Sequence, residues 1–137
     1  MANRNAPLVV EVSAGELIDK ITILEIKLER MTDAAKLQNV RRELEALAAV
    51  RAQALDNSEP LTRLTEQLKA VNGTLWEIED AIRACERNRE FGPRFVELAR
   101  SVYRENDRRS ALKQTINRLL ESRLVEEKSY EPYAEGS

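Results

Sequence analysis

Six polar side chains in the second half of the chain have types and spacings that could bind a small molecule. They are Trp76, Glu79, Asn106, Arg109, Lys113 and Asn117. The last four recur at intervals of three and four residues, so on a helix they would form one stripe. The two basic residues could hold an anionic or sugar-like ligand, the two asparagines could orient it, and Glu79 could hold the basic pair or act as an acid/base.

The same six residues could instead form a buried polar layer that fixes the register of the helices. A guanidinium in a helical interior is costly unless a carboxylate neutralises it, so Arg109 is expected to pair with Glu79 or another acid. Trp76 could lie against the cation. Because no spacing in the cluster is diagnostic of a ligand, the structural interpretation is favoured and no catalytic residue is assigned.

The chain contains no histidine and one cysteine, which removes several common kinds of site. Without histidine there is no serine triad of the usual kind and no imidazole metal ligand. A single cysteine cannot form an internal disulfide or a cysteine-rich zinc site, and Cys85 falls on an apolar seam where a small core residue is expected. The sequence therefore predicts neither a metal nor a cofactor.

The overall charge gives no reason to expect nucleic acid as a partner, since 22 basic residues nearly balance 24 acidic ones. Residues 87–123 are locally basic, with ten basic and five acidic side chains. An ion-paired, solvated face is the favoured interpretation of this region, because no aromatic platform or base-reading motif accompanies it. No signal core and no apolar run of about 20 residues is present, which predicts a cytoplasmic protein that does not enter the membrane.

Helices must position these side chains, because the composition is typical of long helices. Hydrophobic residues make up 42% and charged residues 34% of the chain, with only four glycines and four prolines. We therefore expect an all-α, antiparallel bundle of four helices with coiled-coil-like hairpins, in a single domain over residues 1–137. Its parts would be an extended arm (1–12), a first helical hairpin (13–55), a second hairpin (58–123) and a tail (125–137).

The start of each of the first three helices is marked by a capping residue. Ser13-Ala-Gly-Glu16 has the form of a capping box, in which the serine and glutamate side chains each satisfy a free backbone N–H. Asp33 and Ser58 are the expected N-caps of the second and third helices, and Pro60 is tolerated in the first turn of the third.

The first helix is apolar on two faces. Leu17, Ile21, Leu24, Leu28 and Met31 form one seam, and Ile23 and Ile26 fall on the opposite side. Such a helix is either central in the fold or part of an oligomer interface, and on this ground we expect a homodimer. The β-prone run Leu8–Val12 could pair across that dimer.

The second hairpin has the most regular pattern of the chain. Its first helix carries apolar residues at Leu61, Leu64, Leu68, Val71, Leu75, Ile78, Ile82 and Cys85. Because this seam continues in phase through Gly73, the helix is predicted to be uninterrupted there. Gly92 would close this helix and Pro93 would open the next, and the polar flanks of the two helices are expected to meet.

Three segments resemble a family of small bacterial proteins classed as domain of unknown function 6165 (DUF6165). They are Gly15–Lys27, Leu75–Asp80 and Val102–Arg109 with its continuation to Lys113 and Asn117. The resemblance extends from Val12 to Tyr130, and it emphasises polar residues such as Asp19, Trp76, Glu79 and Arg109. It implies an identity without an established activity or cofactor.

The sequence thus supports two functions of different classes. The favoured one is a non-enzymatic interaction or regulatory module that acts as a homodimer and has a protein partner. The alternative is a small-molecule binder or enzyme that uses the polar cluster for an anionic or sugar-like ligand.

Overall fold

The computed structural model describes residues 5–122, 127 and 129–133. Within them the chain is all-α and forms four helices: α1 (Ala14–Arg30), α2 (Ala34–Ala54), α3 (Glu59–Arg87) and α4 (Pro93–Leu119). No strand occurs in these ranges, and no helix of theirs has the length and apolar character needed to cross a bilayer. The first four residues of the predicted arm, and residues 125, 126, 128 and 134–137 of the predicted tail, lie outside the described ranges.

The predicted N-caps form at the first three helices. The Ser13 hydroxyl accepts a hydrogen bond from the Glu16 N–H at 3.1 Å, and Asp33 and Ser58 cap α2 and α3 in the same way. The second half of the predicted capping box is replaced, because the Glu16 carboxylate accepts from Lys113 Nζ at 2.7 Å. This side chain therefore ties α1 to α4 where a local cap was predicted.

The α3 helix continues through Gly73 without a break, as its apolar seam predicts. Its end differs from the prediction, because Arg89 and not Gly92 takes the left-handed conformation that closes it, with φ of 54°. The Glu90 N–H donates to the Cys85 carbonyl at 2.8 Å, which completes a Schellman motif. Gly92 is instead the N-cap residue of α4.

The α4 helix ends at Leu119, before the predicted boundary at residue 123. Glu121 closes it with φ of 53°, and the Ser122 N–H donates to the Asn117 carbonyl at 2.8 Å. Beyond α4, the Tyr133 ring packs on Tyr103 with 5.2 Å between centroids. The described part of the tail is thereby attached to α4.

The α1 helix is central in the fold. It packs against α2, α3 and α4, whereas α2 packs against α1 alone among the described helices. The fully buried side chains Ile18, Leu61, Leu68 and Ile116 join α1, α3 and α4 in one core. The two apolar faces of α1 are therefore explained by its neighbours in the same chain, and the homodimer stays a prediction that the fold does not test.

Candidate functional site

Asp19 lies at the centre of the polar cluster and is fully buried. Arg109 of α4 donates from Nε to Asp19 Oδ1 at 3.0 Å and from Nη2 to Oδ2. Asn72 of α3 donates from Nδ2 to Oδ1 at 2.8 Å. Two parallel bonds from a guanidinium fork fix both the position and the direction of the carboxylate, so Asp19 joins three helices at one point.

A second ion pair lies one helical turn away. Glu16 and Asp19 share a face of α1, and Arg109 and Lys113 share a face of α4, because helix residues three or four apart are neighbours. Lys113 Nζ is 2.7 Å from Glu16 Oε2 and 3.7 Å from Asp19 Oδ2. Two carboxylates of α1 therefore neutralise two cations of α4.

The hydrogen bonds of this cluster are complete. Asn72 Nδ2 also donates to Thr22 Oγ1 at 3.0 Å, and the Thr22 hydroxyl donates to the Asp19 carbonyl at 2.8 Å. Among the described residues, every fully buried side-chain nitrogen or oxygen has a partner. Since an unpaired buried polar group costs about 1–3 kcal/mol, this completeness lets the charges sit in the interior.

The surroundings of Asp19 act on its pKa in opposite directions. Burial is the largest influence and raises the pKa, because the charged carboxylate loses its water. The hydrogen bonds from Arg109 and Asn72 and the charges of Arg109 and Lys113 together outweigh burial, so the pKa lies below its ordinary value of 3.8. Asp19 is therefore ionised at neutral pH and is poorly suited to general acid/base catalysis there.

Side chains at the end of α4 cap the start of α1. Asn117 Oδ1 accepts from the Gly15 N–H at 2.7 Å, and Ser122 Oγ accepts from the Ala14 N–H at 2.7 Å. A Cβ on Gly15 would lie 2.5 Å from the Lys113 carbonyl oxygen. The first N–H groups of a helix have no acceptor within the helix, and here their bonds to Asn117 and Ser122 hold α1 against α4. Position 15 must be a glycine because the two backbones come so close there.

The structure brings together only part of the predicted cluster. Arg109, Lys113 and Asn117 all bond to α1. Glu79 is exposed and pairs with Arg83 of its own helix at 2.9 Å, so the acid that meets Arg109 is Asp19. Asn106 is half-buried and forms no hydrogen bond with a described residue. The last two helices pack against each other, and α1 packs against both of them and supplies the acids that meet Arg109 and Lys113.

Trp76, Glu79 and Arg109 do share one cleft. Its volume is about 230 Å³, and its remaining lining is Ile23, Ile26, Asn72 and Leu75. Arg109 reaches it with the part of its side chain that stays accessible to solvent. The cleft is smaller than the roughly 300–1,000 Å³ of most small-molecule sites.

The predicted site omits Asp19, Asn72 and Glu16, although they form the centre of the network. A signal for Asp19 was present in α1. Four buried residues, Gly15, Asp19, Thr22 and Ile26, recur there at intervals of four, three and four. A glycine, an acid and a hydroxyl on one buried stripe of a helix indicate a polar contact with a close neighbour.

The remaining reactive side chains offer no second centre. Cys85 is free and buried on the α3 seam, as predicted for a core residue. No group of acidic, histidine or cysteine side chains within the described ranges could hold a metal ion. Chemistry at this site would therefore depend on the polar network and the adjoining cleft.

One comparison with known proteins gave a match. A family model described as Family of unknown function (DUF6165) matches residues 8–136, which is nearly the whole chain. No curated protein and no solved structure matched. The resemblance seen in the sequence motifs is confirmed, and it carries no assigned activity.

Proposed function

We propose that this chain, which belongs to the DUF6165 family of unknown function, is a non-enzymatic interaction or regulatory module that acts as a homodimer. The observation that carries the proposal is the exposure of three consecutive apolar side chains, Leu8 (98%), Val9 (86%) and Val10 (77%). Burying such a side chain fully contributes about 1.5–3 kcal/mol relative to leaving it in water. A partner surface that covers this arm would therefore gain several such contributions at once.

The arm also offers a backbone that a strand can pair with. Leu8-Val-Val-Glu-Val12 is rich in β-branched residues, which favour strands, yet residues 7–12 belong to no helix or strand. A strand without a neighbour presents N–H and C=O groups to an incoming strand. The described part of the chain supplies no such strand, and a second copy of the arm would.

Two arms paired antiparallel about Val10 would be self-complementary. Val10 would face the same residue of the second copy, and Leu8 would face Val12, so apolar side chains would lie opposite one another. A two-fold arrangement of this kind is closed and limits assembly to a dimer. Because two strands alone are marginally stable in water, the paired arms would also rest on the helices near Ala14.

The buried polar network supports the non-enzymatic part of the proposal. Arg109 and Lys113 are the natural anion ligands of the predicted site, and both already contact carboxylates of α1. An anionic substrate would have to displace Asp19, which also accepts a hydrogen bond from Asn72, or Glu16 from its ion pair with Lys113. The network is therefore better suited to fixing the position of α1 than to binding and releasing an anion.

Sedimentation velocity at micromolar concentrations tests the homodimer. We expect the wild-type chain to sediment as a dimer. Val10→Asp should give a monomer, because it places two carboxylates opposite each other across the two-fold axis. The matched control is Val50→Asp, which adds the same charge at an exposed position of α2 and should remain a dimer. A compact wild-type monomer, or a Val10→Asp dimer, would contradict the proposal.

Binding of a small anionic or sugar-like ligand is the second candidate function. It is favoured by the cleft that Trp76, Glu79 and Arg109 share. Thermal unfolding with inorganic phosphate and with glucose phosphate tests it, since a ligand at about 100 times its Kd adds roughly 2.7 kcal/mol of stability. Stabilisation that Arg109→Met abolishes would support this candidate, and unchanged unfolding with both ligands would count against it.

A further inference from the structure

A groove lies on a different face of α4 from the polar network. Its volume is about 700 Å³, within the range of roughly 300–1,000 Å³ that is usual for small-molecule sites. One wall is a stripe of α4 that includes Tyr103 and Asp107, which are one helical turn apart. The other wall is the tail segment that contains Tyr130, Glu131 and Tyr133.

The groove collects every tyrosine of the chain. The sequence has three tyrosines, and all three line this one groove. The rings of Tyr103 and Tyr133 lie with centroids 5.2 Å apart and planes tilted by 46°, so they form a corner and not a flat stack. Both rings remain substantially exposed. Aromatic faces arranged in this way attract cations, because the face of each ring carries partial negative charge.

The charged side chains that line the groove favour a cation, as its aromatic rings do. Asp107 and Glu131 contribute carboxylates to the lining, and none of the described residues that line it is a lysine or arginine. Neither carboxylate forms an ion pair or a hydrogen bond with a described residue. Among its described lining residues, the groove therefore combines aromatic surface with negative charge.

Nearby arginines of α4 are paired with Glu97 and Glu105, and Arg100 is also hydrogen-bonded to the Tyr103 side chain. Arg100 and Arg104 contact Glu97 at 3.5 Å and 3.1 Å, and Arg108 contacts Glu105 at 2.9 Å. These acids lie outside the groove. The cations of the helix thus leave Asp107 to face the groove without a counter-ion from the same helix.

We propose that this groove is a binding site for a small organic cation of the alkylammonium class. The rings would surround the apolar substituents of the nitrogen, and Asp107 and Glu131 would offset its charge. Ammonium groups carried on small carbon frames suit this lining better than anions, which the carboxylates repel, or than metal ions, which the aromatic surface does not coordinate. This site shares none of its lining residues with the arm or with the cleft beside Arg109, so it is independent of the function proposed above.

Titration with choline as the probe, followed by NMR of the tyrosine and tail resonances, tests the proposal. The matched control ligand is dimethylbutanol, the neutral carbon isostere of choline, which has the same shape without the charge. We expect choline to bind and the neutral isostere to bind at least about tenfold more weakly, the combined effect of ring and carboxylate contacts. Equal binding of the two ligands, or no binding of choline, would overturn the proposal.

Three pairs of variants locate the site. Asp107→Asn should weaken choline binding about threefold to tenfold, whereas Asp80→Asn, an exposed aspartate of α3 outside the groove, should leave it unchanged. Tyr103→Phe keeps the aromatic face and should retain binding, whereas Tyr103→Leu should lose it. Glu131→Gln should weaken binding in the same sense as Asp107→Asn, with Glu90→Gln as the exposed control. Binding that ignores both carboxylates and the Tyr103 ring would place choline elsewhere and contradict the assignment.

Discussion

Two faces of α4 differ in the surroundings of their polar side chains. The inner face presents Arg109, Lys113 and Asn117, and each of these side chains bonds to a group of α1. The outer face presents Tyr103 and Asp107, which line an open groove. One helix therefore has a face whose polar groups are satisfied by the chain itself and a face whose polar groups are exposed to solvent.

The difference shows why residue type alone is a poor guide to a binding site. Basic residues and amides on the inner face are the usual ligands of anions, but the fold surrounds them with the carboxylates of Glu16 and Asp19. A ligand there must first break existing bonds, which cost more to break inside the protein than in water. On the outer face, Asp107 has no ion-pair or hydrogen-bond partner among the described residues, so a ligand would break no such bond to reach it.

Asp19→Ala is the substitution expected to cause the largest loss of stability. It removes the fully buried carboxylate to which Arg109 and Asn72 both donate. Breaking a buried ion pair typically costs about 3–5 kcal/mol, and the partial exposure of Arg109 places the expected loss at the low end, about 3 kcal/mol. Urea unfolding followed by circular dichroism at neutral pH would measure the free energy of unfolding.

The matched control is Asp107→Ala on the outer face of α4. Asp107 is exposed and has no ion-pair partner among the described residues, so its removal should change the free energy of unfolding by no more than about 0.5 kcal/mol. Similar losses for the two substitutions would mean that the two faces do not differ as described.

Gly15→Ala should cause the next largest loss, about 1–3 kcal/mol, because a methyl group enters a closely packed contact. The new Cβ would lie 2.5 Å from a backbone oxygen of Lys113, which cannot swing aside as a side chain could. The control is Gly73→Ala within α3, where no atom lies within 4 Å of the added Cβ. That change should stabilise the protein by up to about 1 kcal/mol, since alanine favours a helix more than glycine does. Equal effects at the two glycines would remove the evidence that α1 needs a close approach to α4.

Features that depend on residues close together in the sequence could be predicted from it. The caps at Ser13, Asp33 and Ser58 follow from local hydrogen bonding, and the course of α3 through Gly73 follows from an unbroken apolar seam. The helix ends at Arg89 and Glu121 were not predicted, because both residues are non-glycines in a left-handed conformation. A helix end of this kind is usually marked by a glycine, and neither position has one.

The partners of the site residues could not be predicted in the same way. Periodicity indicates that α1 has two buried faces, but it does not say which helix covers each of them. The choice of Asp19 over Glu79 as the partner of Arg109 depends on that packing. The outer groove is harder still, because Tyr130 and Tyr133 lie in a segment without periodicity and nothing in the sequence relates them to Tyr103.

Acid should destabilise the protein partly through the inner face of α4. The pKa of Asp19 lies below 3.8 in the folded chain, so the unfolded chain takes up this proton first as the pH falls. The stability that the carboxylate contributes is fully present above its unfolded pKa and is lost as the pH falls through the folded pKa. Urea midpoints measured down through this range should fall less steeply for Asp19→Asn than for the wild type. Identical slopes for Asp19→Asn and the wild type would show that Asp19 is not stabilised by its partners.

Tyr133→Ala should have the smallest effect on stability and a clear effect on the tail. The ring contact with Tyr103 is exposed, so its loss should change the free energy of unfolding by less than about 1 kcal/mol. The tail should then be cleaved faster by protease near Tyr130, because the ring contact that attaches it to α4 is gone. Tyr133→Phe keeps the ring and should protect the tail as the wild type does. A large fall in the melting temperature for Tyr133→Ala would instead make the tail part of the core, and the outer face of α4 would then be as closed as the inner one.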